Sequence, residues 1–430
     1  MVKILEGRRK ELLLLLLSAA IVGLAGALVC LGSGYPLWRL ARAVAVVGGF
    51  VAAALMLDLA DPRRDHTLLP IVALVAGCGF ILLWQLDALA ASRQVVWMLT
   101  GAGLMVAVYY LIEDVRGLAR LKYICGVGSL LLMVATMVWG QEHGGARLWL
   151  GIPGLISFQP TELVKVLICI FLAGYLGDRA ELLRQDTQAV AGLHLPRLRH
   201  IAPVVLIVAF CLALFVIQRD LGAAVLFFGL FLAVSYLATG RKSLGIIASV
   251  LFAGGAVGAY YVFPHVASRI DMWLNPWQDP TDKGYQILQG LFSLAEGGIL
   301  GTGFGMGVPG TIPAATTDLI FAVGAEQMGL VGSIALLLLF ALVAYRMYSV
   351  AWQATDSFGA LLAAGLATVF SVQTLVIVGG VTKLVPLTGI TLPFISYGGT
   401  SVVVNFVALA LVLTVSRDCV THHLSTIAPD

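Results

Sequence analysis

Apolar runs of about twenty residues, repeated along most of the chain, constrain the fold of this sequence more than any other feature. A helix needs about 20 mostly apolar residues to cross ~30 Å of hydrocarbon, and only helices or closed barrels satisfy their backbone groups there. The runs are continuous rather than alternating, which indicates helices. The sequence therefore predicts an all-α, polytopic integral membrane bundle of about twelve transmembrane helices. They lie at 11–34, 41–59, 67–87, 94–112, 121–140, 160–177, 201–217, 220–239, 243–263, 319–346, 358–381 and 393–416.

Composition supports the same class of protein. Of the 430 residues, 60% are hydrophobic and only 11% are charged, and the mean hydropathy is +0.98. Such a chain does not form a soluble domain. The net charge of +3 is too small, and too evenly spread over the predicted inner loops, to indicate binding of nucleic acid. Membrane lipids are the expected surroundings.

The distribution of basic residues predicts the topology. An even number of spans places both termini on one side of the membrane. With the N-terminus inside, most of the 26 lysines and arginines fall on inner segments, as the positive-inside rule requires. The segment 264–318 follows the ninth span and is therefore expected to form a large extracytoplasmic loop.

Part of this loop has the pattern of an amphipathic helix. Polar residues recur at intervals of three, four and three, and apolar residues fill the positions between them. The pattern is typical of a helix of about three turns, which either anchors the loop in the interface or covers a cavity between spans. The polar set is Gln286, Gln289, Ser293 and Glu296, and the apolar set is Ile287, Leu288, Leu291, Phe292 and Ala295.

A glycine-rich stretch follows, with the sequence GTGFGMG at 301–307. No predicted strand precedes it and no P-loop lysine follows it, so a nucleotide site is not indicated. Flexible backbone close to a moving substrate is the favoured interpretation. The loop then ends at Asp318, directly before an apolar run. An aspartate at this position is either a helix N-cap or an ionisable group held at the membrane surface for chemistry, and the local pattern alone leaves both open.

Four stretches of sequence resemble one known family. They are SRIDMWLNPWQDPTDKGYQILQGLFSLAEGGILGTGFGMGVPGTIPAATTDLIFAVGAEQMGLVG at 268–332, ARLWLGIPGLISFQPTELVKV at 146–166, QRDLG at 218–222 and VPLTGITLPFISYGGTS at 385–401. In order and spacing they resemble the signature motifs of the shape, elongation, division and sporulation family. The resemblance covers about residues 67–416.

The resemblance implies a ten-helix peptidoglycan glycosyltransferase of the FtsW/RodA kind. Such an enzyme polymerises lipid II, the lipid-linked disaccharide-peptide precursor, at the outer face of the bacterial cytoplasmic membrane. Residues 67–430 would form this core, and residues 1–66 would add two N-terminal helices. The family also implies a class B penicillin-binding transpeptidase as partner. Whether this chain acts in cell shape, division or sporulation is left open.

The family and the reaction together suggest the catalytic residue. Asp318 occupies the position of the family's catalytic acid, in the pattern Thr316-Thr317-Asp318-Leu319. When an acceptor hydroxyl attacks an anomeric carbon and pyrophosphate leaves, a carboxylate can take the hydroxyl proton while cations stabilise the leaving charge. A position beside apolar surroundings is expected to raise the pKa of Asp318. A divalent cation, Mg²⁺ or Mn²⁺, could bridge Asp318 and the pyrophosphate, although the sequence shows no dedicated cluster of ligands.

Several other residues are candidates for substrate binding. Glu162 and Lys165 share a helix face, so their predicted buried ion pair either locks two helices or presents Lys165 to pyrophosphate. Arg147 and Trp149 either hold phosphate or sugar, or anchor the interface. The full predicted binding set is Arg147, Trp149, Glu162, Lys165, Arg269, Lys383, Ser396 and Tyr397. The residues predicted to support the site are Asp220, Glu326 and Glu296.

The chain departs from the family pattern at several positions near these candidates. Thr316 stands where histidine is usual, Ala314 where glutamate often follows proline, Gln327 where a second glutamate is common, and Arg219 where proline is usual. These differences change the electrostatics expected around Asp318 and indicate a divergent subgroup.

Two other functions use similar features. A lipid II flippase could use the same cavity and charges to carry the head group across the membrane. An ion-coupled solute transporter would be expected to show inverted repeats and broken helices that meet at the midplane. The sequence shows no convincing repeat, and its unusual residues are concentrated in one outer loop, so polymerisation is the favoured prediction.

Overall fold

A computed structural model describes residues 2–33, 40–143, 146–152, 156–190, 193–307 and 312–427. Over this part of the chain twelve helices are long and apolar enough to cross a membrane, which confirms the predicted fold class. Two shorter helices, α10 and α11, lie in the segment 264–318. The helices are α1 (Val2–Ser33), α2 (Ala41–Ala60), α3 (Leu68–Leu86), α4 (Ala88–Leu111), α5 (Lys122–Trp139), α6 (Pro160–Gln185), α7 (Leu198–Ile217), α8 (Leu221–Thr239), α9 (Lys242–Val262), α10 (Pro264–Leu274), α11 (Tyr285–Gly297), α12 (Ile320–Gln353), α13 (Ser357–Val381) and α14 (Gly399–Ile427).

Short strands are the part of the fold that a helical reading of the sequence misses. Between α5 and α6, strands β1 (Gln141–His143), β2 (Ala146–Ile152) and β3 (Ile156–Phe158) form an antiparallel sheet. After α6, strands β4 (Thr187–Val190) and β5 (Leu193–Pro196) form a hairpin. Each strand has only three to seven residues, too few to produce a clear alternating pattern.

The chain forms two compact units. Unit 1 contains residues Met1–Glu113, Asp271–Met347 and Gln373–Asp430. Unit 2 contains residues Asp114–Ile270 and Tyr348–Val372. The boundary predicted after residue 66 separates two added helices from the family core. The two compact units do not test this boundary, which stays a prediction.

In unit 1 the largest helix contact joins α4 and α14. Small residues allow the helices to approach closely. The ring of Phe406 on α14 occupies the space beside Gly101 on α4, and it also contacts the rings of Phe50 and Phe394. Val22 on α1 similarly fills the space beside Gly77 on α3. Because lipid offers no hydrophobic driving force between helices, such close packing is what holds spans together.

In unit 2 the helix α6 is largely buried between α5 and α8. Phe171 on α6 packs against Gly126 on α5. The helix α9 has no buried residue and contacts α8 through the stacked rings of Phe228 and Phe252, whose centroids are 4.0 Å apart.

The predicted amphipathic helix is present as α11, but its buried face differs from the prediction. Ser293, on the predicted polar face, is 5% exposed, whereas Phe292, on the predicted apolar face, is 42% exposed. The reason is close packing on the start of α12. Gly290 lies against Leu319, and Gly297 lies against the carbonyl oxygen of Ala325, so the buried face is formed largely by small residues.

The helix α12 is broken at Gly329, where the backbone has φ +65° and ψ −169°. The segment 298–303 crosses this break and satisfies its free backbone groups. Carbonyl groups of Gly298 and Ile299 accept from Leu330 and Val331 at 2.9 and 3.1 Å. In return, the N–H groups of residues 302 and 303 donate to the carbonyls of residues 326 and 327 at 2.9 and 3.0 Å. Irregular backbone at the depth of a membrane is tolerated only with such partners.

Candidate active site

Asp318 lies in a tight turn just before α12. The carbonyl of Ala314 accepts hydrogen bonds from the N–H groups of Thr317 and Leu319 at 3.1 and 3.2 Å. Leu319 is 1% exposed and anchors the end of the turn. Because α12 begins at Ile320, Asp318 precedes the residue that flanks the helix and is not itself in the N-cap position. Its carboxyl is half-buried.

Residues 392–397, which follow α13, hold this turn in place through hydrogen bonds. The backbone N–H of Tyr397 donates to the carbonyl of Thr316 at 2.8 Å. The Ser396 hydroxyl donates to the carbonyl of Thr317 at 2.7 Å and accepts from the N–H of Leu392 at 2.9 Å. Ser396 is 1% exposed and supports the residues next to Asp318, and its predicted contact with substrate stays a prediction. The Tyr397 side chain is half-buried, and its role in substrate binding stays a prediction.

Two buried glutamines extend this support. The Gln94 amide, on α4, donates to the carbonyl of Ser396 at 3.2 Å and accepts from the N–H of Gly398 at 3.4 Å. The Gln373 amide, on α13, donates to the carbonyl of Thr391 at 2.6 Å. Sequence reasoning missed both residues. The available signal was a lone amide inside an apolar run, since such a group must find a partner in the bundle.

Gly389 brings backbone close to the Asp318 carboxyl. Its φ is +74°, and a Cβ placed on it would lie 3.5 Å from Oδ2 of Asp318. Only glycine adopts such a φ without strain, so the backbone can pass beside the carboxylate with no side chain in between.

Lys383 lies at the end of α13 and contacts α10. Its ammonium donates to the carbonyl of Leu274 at 3.4 Å, and its own carbonyl accepts from the Trp273 indole at 3.0 Å. The structure therefore gives Lys383 a tethering contact, and its predicted contact with substrate stays a prediction.

Of the predicted supporting acids in unit 1, one is buried and one is not. Glu326 is 2% exposed, and a Cβ placed on Gly307 would lie 2.7 Å from its Oε1. Gln327 beside it is also 2% exposed. Both residues form the wall on which the glycine-rich stretch rests. Glu296 is exposed on α11 and lies outside this wall.

Unit 2 carries a second cluster of charged groups. The predicted ion pair between Glu162 and Lys165 is present, with an N–O distance of 2.6 Å and side chains that are 7% and 5% exposed. Asp220 caps α8 by accepting from the N–H of Ala223 at 3.0 Å and is 5% exposed. Burial raises the pKa of Asp220, although the Ala223 hydrogen bond and Arg269 oppose the shift.

His265, at the start of α10, also belongs to this cluster, and sequence reasoning missed it. Burial and the Arg219 guanidinium lower its pKa, which keeps the imidazole neutral. His265 therefore adds no positive charge beside Arg219 and Arg269. Arg269 lies four residues after His265 on α10, but Arg219 is distant from both in sequence, so the local pattern does not reveal the whole cluster.

Arg147 and Trp149 lie on β2, at the surface of unit 2. Arg147 faces Glu142 across the β1–β2 pair with an N–O distance of 3.6 Å, and both side chains are more than half exposed. An exposed pair of this kind contributes little to stability. Arg147 is therefore available to an anionic ligand, and both binding predictions on this strand remain predictions.

The described residues contain one group with the spacing of metal ligands, and it is remote in sequence from Asp318. Oxygen and nitrogen atoms of Glu11, Asp58 and His66 lie within 4.8 Å of one another. The Arg64 guanidinium donates to Glu11 at 2.7 and 2.9 Å and to Asp58 at 3.0 Å. Arg64 thus already supplies the positive charge that a metal ion would bring.

Fold and site together define a class of protein, a multi-pass helical membrane protein. It holds a carboxyl group at the end of a span in unit 1 and a cluster of charged groups in unit 2. A family model described as cell cycle protein, FtsW, RodA and SpoVE, matches residues 65–420. The chain belongs to this family, as its sequence motifs predict.

Three relatives illustrate the similarity. Peptidoglycan glycosyltransferase RodA of Mycobacterium tuberculosis is 40% identical, over 96% of this chain and 91% of that protein. A solved structure described as structural coordination of polymerization and crosslinking by a peptidoglycan synthase complex has 29% identity and a TM-score of 0.69, and the match covers 83% of this chain and 98% of that chain. The rod shape determining protein RodA of Thermus thermophilus has 29% identity and a TM-score of 0.57, with 83% of this chain and 97% of that chain covered.

Proposed function

We propose that this chain, a peptidoglycan glycosyltransferase, extends glycan strands from lipid II and uses Asp318 as its general base. The observation that carries the proposal is the way the Asp318 turn is held. Hydrogen bonds from residues 396 and 397 hold the two residues before it, and the backbone of Gly389 passes beside its carboxylate. A general base needs this kind of fixed position within reach of the proton that it removes.

In the proposed reaction one bond forms and one breaks at the anomeric carbon. The acceptor hydroxyl oxygen bonds to that carbon, and the bond to the pyrophosphate oxygen breaks, so that the lipid pyrophosphate leaves with the bonding electron pair. Asp318 takes the proton of the acceptor hydroxyl. Cations are needed where the leaving charge develops.

The charged cluster of unit 2 includes Lys165, Arg219 and Arg269, which are side chains of the kind that bind a pyrophosphate. Lys165 pairs with Glu162, and Arg269 lies near enough to Asp220 to oppose the rise in the pKa of that carboxyl. Arg219 and Arg269 contribute two guanidinium groups to the cluster. Arginine binds phosphate oxygens with paired N–H groups, which supports this assignment.

The test is polymerisation by the purified full-length protein in liposomes that contain labelled lipid II. Asp318→Asn is expected to lower the polymerisation rate by about 10²–10⁴-fold, the usual contribution of a general base. Asp282→Asn, which changes an exposed aspartate of the same segment, serves as the control and is expected to keep the wild-type rate. A wild-type rate in Asp318→Asn would remove the base from the mechanism.

The same liposomes separate polymerisation from transport. Head-group translocation by the wild-type protein, with no polymer formed, would favour the lipid II flippase instead. Polymer without translocation supports the glycosyltransferase and excludes the lipid II flippase.

We also place the protein in the bacterial cytoplasmic membrane, with Asp318 on the outer side, and propose a class B penicillin-binding transpeptidase as partner. The chemistry supports a partner, because new glycan strands need crosslinking. Co-purification with such a transpeptidase, and a faster polymerisation rate in the complex, are the expected results.

Dependence on Mg²⁺ or Mn²⁺ remains an expectation of the proposal. No group of three metal-type ligands among the described residues includes Asp318. Magnesium commonly takes one or two carboxylates together with substrate phosphates and water, so a single aspartate beside a pyrophosphate is compatible with it. Loss of polymerisation in chelator, with recovery on addition of Mg²⁺, is the result that would support it.

A further inference from the structure

The N-terminal helix α1 reaches the glycine-rich stretch 301–307. A Cβ placed on Gly32, near the C-terminal end of α1, would lie 3.1 Å from the carbonyl oxygen of Phe304 and 4.0 Å from Sδ of Met306. A Cβ contact at 3.1 Å is closer than nearly all such contacts in proteins. A side chain at this position would therefore need the stretch or the helix to shift by a few tenths of an ångström.

The family match begins at residue 65, so α1 lies outside the part of the chain that the family defines. The glycine-rich stretch, by contrast, lies inside it and leads along the chain toward Asp318. The contact at Gly32 thus joins a helix that precedes the matched residues with the segment that precedes the proposed catalytic base.

Three other contacts show that this stretch is positioned by its neighbours. The carbonyl of Glu326 accepts from the N–H and the hydroxyl of Thr302, at 2.9 and 3.1 Å. The carbonyl of Gln327 accepts from the N–H of Gly303 at 3.0 Å. The Gln85 amide on α3 accepts from the N–H of Gly305 at 3.1 Å. Each contact restrains one point of a segment rich in glycine, whose backbone is otherwise free to take many conformations.

The helix α1 is itself held along its length. At its N-terminal part Glu11 is bound by Arg64, and both side chains are 1% exposed or less. In the middle, Gly26 packs against Ile81 and Trp84 on α3. From Glu11 to Gly32 the helix spans about 31 Å, at 1.5 Å per residue. A helix fixed at two points in this way presents its end at a defined place.

We propose that α1 positions the glycine-rich stretch 301–307 for catalysis, and that Gly32 is the residue through which it acts. The proposal rests on the proposed function, since it concerns the rate of the same reaction. Gly32 is a positioning residue and not a catalytic one, because it contacts the stretch that precedes Asp318.

The test compares two glycines of the same helix. Gly32→Val places a side chain against the Phe304 carbonyl, whereas Gly23→Val, the control, enters space with no neighbour within 4 Å. Gly32→Val is expected to lower kcat about tenfold with an unchanged KM for lipid II, because small displacements far from the chemistry can have effects of this size. Gly23→Val is expected to keep the wild-type kcat, and both variants should melt at similar temperatures. Equal kcat values in the two variants would overturn the proposal.

A crosslink tests the contact independently of activity. In a chain whose six native cysteines are replaced by alanine, Gly32→Cys with Met306→Cys should form a disulfide on mild oxidation. Gly23→Cys with Met306→Cys should stay reduced, because residue 23 lies about 13 Å further along the helix. Maleimide labelling measures both. The Gly32→Cys, Met306→Cys pair should polymerise several-fold more slowly than the Gly23→Cys, Met306→Cys pair, because a Cβ at residue 32 displaces the stretch. A crosslink without any rate change would sink the positioning role, and failure of the wild-type protein to polymerise would sink the proposed function instead.

Discussion

Single residues in a left-handed backbone conformation surround both clusters. The non-glycine residues with positive φ in the described part of the chain are Arg219, Ala314, Lys383 and Phe394. Arg219 precedes Asp220, and Ala314 supplies the carbonyl that closes the Asp318 turn. Such conformations cost roughly 1–3 kcal/mol and are concentrated at functional sites, where the surrounding structure holds them. Arg219 stands where the family usually has proline, whose φ of about −65° excludes the observed φ of +64°.

Gly389→Ala tests whether the backbone beside Asp318 must be free of side chains. A residue other than glycine at φ +74° costs about 1–2 kcal/mol, and the new methyl group would lie next to the carboxylate oxygen. We expect both stability and polymerisation rate to fall. Gly240→Ala, at φ +69° with no neighbour within 4 Å, should lose similar stability and keep its rate. Thermal unfolding and the liposome assay measure the two effects, and an unchanged rate in Gly389→Ala would contradict the expectation.

The Asp220 carboxyl gives a pH dependence whose sign follows from its environment. Burial raises its pKa above the ordinary value for an aspartate, so the folded protein binds this proton more tightly than the unfolded chain. The resulting stability is fully present below the unfolded pKa and is lost as pH rises through the folded pKa. Asp220→Asn keeps a neutral cap, so unfolding experiments should show it gaining stability relative to wild type as pH rises over that range. A constant difference at all pH values would contradict this.

At the scale of elements, the N-terminal helices are joined by a buried ion-pair network. Arg64 is fully buried and bonds to Glu11 on α1 and Asp58 on α2. Asp65, next in the chain, pairs with Arg346 on α12. In lipid, where apolar surface does not drive helices together, such polar contacts between spans specify which helices pair.

Arg64→Ala should therefore be among the most destabilising substitutions in α1–α3. It leaves the carboxylates of Glu11 and Asp58 buried with less compensation, which typically costs about 3–5 kcal/mol. Arg116→Ala is the control, because its pair with Asp356 has a 56% exposed arginine and an N–O distance of 3.4 Å. That change should cost less than about 1 kcal/mol. Equal losses in a denaturation experiment would show that the buried network does not hold the N-terminal helices.

The broken helix α12 shows how an element is shaped by contacts from elsewhere in the chain. Its sequence from Ile320 to Gln353 reads as one apolar run, and its three glycines, Gly324, Gly329 and Gly332, do not by themselves mark where the helix breaks. The break is stable because residues 298–303 supply the missing hydrogen bonds. The first part of α12, which follows Asp318, is in this way hydrogen-bonded to the segment that precedes Asp318.

At the scale of the whole molecule, the proposed function depends on which side of the membrane holds the segment 264–318. The sequence places this segment outside and the connection between α12 and α13 inside. Each unit carries one of the described clusters, with Asp318 in unit 1 and Asp220 in unit 2. The proposed polymerisation takes place outside the cytoplasm. The side of the membrane on which the two clusters lie therefore decides whether they can take part in it.

Cysteine labelling tests this topology in intact cells. In the chain without native cysteines, Asp282→Cys should react with a membrane-impermeant maleimide, because residue 282 is exposed in the outer segment. Gln353→Cys, exposed at the end of α12, should react only after the cells are permeabilised. The reverse pattern would place Asp318 on the cytoplasmic side and remove the basis of the proposed function.

The amino-acid sequence by itself determined the twelve spans, the amphipathic helix in the loop, the family and the candidate base Asp318. Each of these depends on local hydrophobic patterns or on motifs that are contiguous in the chain. The tertiary structure decided the rest: the supporting role of Ser396, the glutamines Gln94 and Gln373, the break at Gly329 and the contact at Gly32. These depend on groups far apart in sequence that meet because buried polar atoms must find partners and because glycine allows close approach, and neither requirement leaves a periodic pattern in the chain.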